Sequence, residues 1–414
     1  MKKNIIRTAV SFILLITVIL NFVGCGMKVS AENLMEGIEA REIKDTGSLK
    51  DPEKAADFAV RLFKAANEED KNTLISPLSV LAALAMTANG AKENTLSEME
   101  STLGMSVGEL NNFFFNYMKA LSGDKNNTLA LANSIWFKND QSFRVERDFL
   151  QTNADYYGAD IYKAPFDKTT LDDINNWVNT KTDKMIPKLL DEIPGNAVMY
   201  LINALAFDAE WETPYNENQV NEGTFILENG ETRKVDFMYG DESAYIDDGK
   251  ATGFIKYYSG GKYAFAALLP NEGISLSDYI NTLDGDSLYG MLSDPEYTSV
   301  KTSLPKFDTK YETELSKVLI GMGIKDAFDE RKADFSGLGT SDDGNICISR
   351  VIHKTTVSVN EKGTKAGAAT AVEMVTKGAM PAKSVYLDRP FIYMLIDTET
   401  NLPFFIGSIT DING

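Results

Sequence analysis

Residues 361 to 384 read Glu-Lys-Gly-Thr-Lys-Ala-Gly-Ala-Ala-Thr-Ala-Val-Glu-Met-Val-Thr-Lys-Gly-Ala-Met-Pro-Ala-Lys-Ser. They follow a strand pattern and precede another, so they form an unstructured stretch inside what is otherwise a folded chain. Stretches of this length within a compact domain are uncommon and are usually functional or disordered. With strand alternation, Thr364, Ala366, Ala368, Thr370, Val372, Met374 and Thr376 point one way and none is charged, while Lys365, Glu373 and Lys377 point the other way. No proline interrupts 362 to 380, and Pro381 comes only beyond it, so every backbone N–H there can join a ladder. A flexible linker is the plain alternative for so much Ala, Gly and Thr. The one-sided charge instead describes a loop built to become a strand with one buried face.

Upstream, Asp51 is placed to N-cap a helix and Pro52 suits its first position. Ala55, Phe58, Ala59, Leu62, Phe63 and Ala66 then recur at three and four, an amphipathic helix. Further helices are expected over 77–89, 94–103, 108–121, 145–157, 171–183 (with Thr170 as N-cap) and 311–322. Strands are expected over 129–138, 197–207, 232–238, 252–258, 263–269, 298–307, 346–360, 391–397 and 403–409. No repeat and no internal linker occurs, and segregated helices with long strands argue one large α+β domain.

The chain has 414 residues, 43% hydrophobic and 24% charged, which excludes disordered and low-complexity classes. A formal charge of −19 repels phosphate backbones and anionic lipids, so nucleic acid is a poor partner. Two cysteines and one histidine exclude a disulfide scaffold, Cys/His zinc sites and any scheme needing two imidazoles. Asp45-Thr46-Gly47 spells an aspartic-protease triplet, but no second copy supplies the partner carboxylate, so it reads as a chance turn. The start supplies Lys2, Lys3 and Arg7, an apolar run from Phe12 to Leu20, and Gly24 before Cys25, an export signal over residues 1–24. It resembles a bacterial lipoprotein signal with Cys25 as the lipidated residue. Cleavage after Val29-Ser30-Ala31, freeing a secreted chain from Glu32, is the rival. Residues 25–50 are polar and aperiodic, as a tether would be, and the domain is expected over 51–414.

Glu361-Lys362-Gly363-Thr364-Lys365-Ala366-Gly367-Ala368-Ala369-Thr370 resembles the hinge of inhibitory serpins, and Asp388-Arg389-Pro390-Phe391 the signature after their reactive loop. Lys365 replaces the usual acid, on the outward face. Asn72-Thr73-Leu74-Ile75-Ser76-Pro77-Leu78-Ser79, Leu201-Ile202-Asn203, Ala209-Glu210-Trp211, Leu304-Pro305-Lys306-Phe307, Met322-Gly323-Ile324, Ala333-Asp334-Phe335-Ser336 and Ile352-His353-Lys354 continue the match in order, from about residue 52 to 410.

The resemblance implies a single α+β domain with a large central sheet, additional sheets, about nine helices and an exposed reactive-centre loop. It also implies suicide inhibition: a serine protease cuts the loop, and the hinge (Glu361, Gly363, Thr364, Ala366, Ala368, Ala369, Thr370) inserts while the protease is held as an acyl-enzyme. About 14 residues at roughly 3.3 Å each would carry the protease roughly 45 Å. Counting Gly363 as the fifteenth residue before the bond puts cleavage between Lys377 and Gly378, which suits trypsin-like targets; elastase-like or subtilisin-like ones remain open through Met374, Val375 and Met380.

By the same resemblance Ser76, Ser79, Asn203 and His353 form a shutter below the opening, and Lys306 and Glu361 pair near Trp211 at the breach, where insertion begins. No catalytic group, cofactor or metal is implied; the expected partner is the target protease, and the expected state a monomer at the cell surface or outside the cell. Cys347 is expected to be a buried free thiol. A non-inhibitory serpin acting as a binding or chaperone-like module is the alternative, opposed by the uncharged inward face. A hydrolase is a weak third, since no G-x-S-x-G occurs.

Overall fold

The long apolar runs between residues 52 and 88 set the centre of the molecule. In the computed structural model, which describes residues 30–43, 49–121, 128–139, 142–194, 197–342, 344–364 and 383–412, Pro52–Ala66 buries the three-and-four set named above. Asp51 does not cap it with its side chain: its φ is 53° and its carboxylate makes no cap bond, while Pro52 stands at the first helical position as expected. Pro77–Ala88 is buried at all twelve positions, as a helix apolar on every side must be. It packs against strands of both large sheets, Met199–Glu210 and Leu402–Ile409. Lys168–Lys181 is capped by Asp167, whose carboxylate accepts from the Thr169 and Thr170 amides. Thr170, expected in that role, turns its hydroxyl back to accept from the Phe166 amide.

The described residues contain nine α-helices and three sheets, an α+β arrangement. The seven-stranded sheet runs Glu32–Asn33, Asp160–Ala164, Thr128–Lys138, Met199–Glu210, Gly363–Thr364, Arg350–Val359, Phe307–Glu314. A nine-stranded sheet includes the hydrophobic strands Tyr263–Pro270, Phe391–Asp397 and Leu402–Ile409.

The expected helix over 311–322 is corrected: Phe307–Glu314 is an edge strand, and only Ser316–Met322 is helical. Asp308, Lys310, Glu312 and Glu314 alternate with Phe307, Thr309, Tyr311 and Thr313, a period of two that edge pairing with Arg350–Val359 exploits. The free-tether expectation is also revised for residues 30–43. Glu32–Asn33 pairs with the exposed edge of Asp160–Ala164, and the Ser30 and Ala31 amides donate to Asp173. Arg41 forms an ion pair with Asp155. Cys25 and Asp45-Thr46-Gly47 lie outside the described residues.

Candidate functional site

The two central strands of the seven-stranded sheet, Met199–Glu210 and Arg350–Val359, run parallel but touch at one end only. There Arg350 to His353 pair with Tyr200 to Asn203. At the other end Gly363–Thr364 lies between them and antiparallel to both, Thr364 facing Val359 on one side and Ala209 on the other. Between these ends no bridge joins the two strands among the described residues, over roughly 20 Å of strand. Both strands advance equally from one contact to the other, so among the described residues the unbridged stretch is a slot one strand wide.

Local sequence makes the turn at the mouth of that slot. The Asn360 side chain accepts from the Lys362 amide at 2.9 Å, and the Asn360 amide donates to the Gly363 carbonyl at 3.0 Å. Gly363 is required by close approach: a Cβ there would lie 2.1 Å from the Ala209 carbonyl oxygen. Thr364 is 1% exposed, and its hydroxyl shares a 2.5 Å hydrogen bond with that of Tyr258. This fixes which face of the following residues would point inward.

Trp211 holds the turn from the neighbouring strand. Its amide donates to the Lys362 carbonyl and its indole N–H to the Asn360 carbonyl, both at 2.8 Å, while the Tyr215 amide donates to the Glu361 carbonyl at 2.9 Å. The indole stacks on Tyr258 with centroids 4.4 Å apart. Lys306 and Glu361 form an ion pair at 2.9 Å, with side chains 31% and 36% exposed. The Lys306 ammonium holds the Glu361 carboxyl below the usual range. So exposed a pair contributes about 0 to 1 kcal/mol.

At the closed end His353 is 1% exposed, and its Nε2 accepts from the Ser76 amide at 3.0 Å. Burial lowers its pKa to about 4, so the ring is neutral at pH 7. Ser79 donates its hydroxyl to the Ser76 carbonyl at 3.0 Å. Thr355, not singled out by sequence, donates to the Leu74 carbonyl at 2.7 Å. Asn203 stands in backbone register with His353; its side chain lies outside the described residues. Lys377, Gly378, Ala366, Ala368, Ala369 and Thr370 also lie outside them. Cys347 is a buried free thiol, pushed to higher pKa by burial.

Sequence reading missed Tyr258, Asn360, Lys256 and Glu242. The Lys256 ammonium lies 2.8 Å from Glu242, and burial pushes the Glu242 carboxyl upward against the pull of that cation. A lysine inside the apolar run from Phe254 to Tyr258 was the available signal.

The first residues of the long loop thus already form a strand between the two central strands of the sheet. The chain belongs to the serpin family: the family model Serpin (serine protease inhibitor) matches residues 53–412. The leukocyte elastase inhibitor of Equus caballus is 30% identical over 372 residues, covering 84% of this chain and 96% of that protein. The native state of tengpin, a thermophilic serpin, aligns at 47% identity with a TM-score of 0.88, covering 92% of this chain and 99% of that one. Its latent state aligns at 48% identity with a TM-score of 0.77, covering 89% and 99%. The fold is the serpin fold, α+β in one domain.

Proposed function

We propose that this protein inhibits serine proteases as a suicide substrate, with trypsin-like enzymes as targets and the bond between Lys377 and Gly378 as bait. The observation that carries the reading is Thr364 seated between Val359 and Ala209, at the head of the stretch where the two strands share no bridge among the described residues. On insertion, continuing that antiparallel register would put Ala366 between Phe207 and Val357, Ala368 between Leu205 and Thr355, and Thr370 between Asn203 and His353. The flanking Leu205, Phe207, Thr355 and Val357 side chains are buried, so only small inward residues pass without repacking. Residues 365–369 would run along the stretch where the two described strands share no bridge. From Thr370 onward, insertion must replace the direct pairs of Arg350–His353 with Tyr200–Asn203. Ser76, Ser79 and His353 therefore act as the gate, and the protein contributes bait and stored strain but no catalytic group.

Insertion must outpace deacylation of the cut loop for the protease to be trapped. Lys377 suits a specificity pocket with an acid at its base, as in trypsin-like enzymes. The test is a protease panel: trypsin is expected to give an SDS-stable complex, releasing a C-terminal fragment that begins at Gly378. A fragment beginning at Thr376 or Pro381, or trapping by elastase alone, removes the Lys377 assignment. Cleavage by every protease without a stable complex removes inhibition itself.

We further propose that the chain is exported, is monomeric and is anchored at a bacterial surface through lipid on Cys25. Cleavage after Ala31 would remove the Ser30 amide and hydroxyl that donate to Asp173, a carboxylate only 6% exposed, and this favours retention of residues 25–31.

A further inference from the structure

A buried ion pair stands behind the mouth of the slot. The Lys256 and Glu242 side chains are 5% and 12% exposed, with Nζ 2.8 Å from Oε1. The same ammonium donates to the Thr213 carbonyl at 3.2 Å. It also sits 4.4 Å from the Tyr215 ring centroid and 5.4 Å from that of Trp211. A single cation thus touches three residues of the segment 211–215. That segment supplies the three N–H groups that hold the Asn360, Glu361 and Lys362 carbonyls.

Desolvating two charges is costly, and replacing such a pair by apolar residues is often neutral or stabilising. Stability alone is therefore a poor reason for an ion pair at this place. Its position is specific: directly behind the donors that shape the turn from which an inserting strand must start. We propose that Lys256 and Glu242 are a positioning pair, which keeps the segment 211–215 aligned so that the turn at 360–363 is a ready-made hairpin end from which the cut loop zips into the sheet. The pair acts through Trp211 and Tyr215 and touches neither the protease nor the scissile bond. This inference rests on the loop-insertion reading.

The test is the double variant Lys256→Met/Glu242→Leu in the full chain, which removes both charges and leaves none orphaned. Amide exchange by mass spectrometry reads the segment 211–215 directly, with the helix Lys168–Lys181 as a remote control. Loss of two desolvated cation–π contacts should speed exchange of the Trp211 and Tyr215 amides by about tenfold, with the control unchanged. The number of inhibitor molecules consumed per protease trapped should rise several-fold, while the rate of loop cleavage stays the same. Unchanged exchange at 211–215, equal acceleration in the control helix, or faster exchange with unaltered partitioning would each overturn the proposal. If the parent protein traps no protease, the inhibitor reading fails on its own, and the exchange comparison still decides whether the pair orders the mouth of the slot.

Discussion

Acid should open the closed end of the slot through one residue. The His353 imidazole has a pKa of about 4 in the folded protein against 6.5 when exposed, because burial disfavours its cation. Below pH 6.5 the unfolded chain takes up a proton that the native chain refuses. The neutral ring's contribution is therefore present in full above pH 6.5 and is lost as pH falls toward 4. At 1.36 kcal/mol per unit, the loss reaches about 2 kcal/mol at pH 5 and about 3 kcal/mol at pH 4. Protonated Nε2 also stops accepting from the Ser76 amide, which unties the strand from the start of the Pro77–Ala88 helix. Thermal unfolding at one fixed scan rate, between about pH 7.5 and 4.5, should show a steeper acid decline for the parent than for His353→Gln, which keeps an acceptor but cannot titrate. Conversion to an inactive inserted or polymerised form should accelerate over the same range in the parent only. Parallel acid slopes in the two proteins would refute the assignment.

Three further outcomes are expected. Thr364→Arg must desolvate a guanidinium where a hydroxyl now meets Tyr258, so the loop should still be cut but trapping should fail; stoichiometric inhibition by this variant would end the insertion mechanism. Lys377→Glu should lose trypsin inhibition while its melting temperature stays within about 1 °C, as expected for a residue that strand alternation assigns to the charged face; undiminished trypsin trapping would place the bait elsewhere. Cys25→Ala should leave the signal uncleaved or release the protein from the membrane, read by mature mass and fractionation; unchanged mass and location would favour cleavage after Ala31.

Much of the fold was legible because periodicity reports burial directly. Ala55 to Ala66 repeats at three and four and is a buried helical face; Tyr263 to Pro270 is continuously apolar and is a strand buried on both faces. The failure at 311–322 has a physical reason. Asp308 to Glu314 forms an edge strand whose alternate residues are charged, and the partner that makes it a strand lies some forty residues along, at Arg350–Val359. Asp51 failed as a cap because its backbone is left-handed, with φ 53° and ψ 44°, where a capping residue is extended.

The alternation from Thr364 to Thr376 determined by itself that this segment can be a strand with one uncharged face, since side-chain parity is a property of the extended backbone alone. The order of motifs likewise determined the family. Only the tertiary structure decided that Thr364 is already seated, that the slot ends at His353 and Asn203, and that a buried Lys256 stands behind Trp211 and Tyr215. Each of those facts is a register or a contact between residues far apart in the chain. It is set by where two sheets and the Pro77–Ala88 helix come to rest against one another, and local sequence carries no record of that distance.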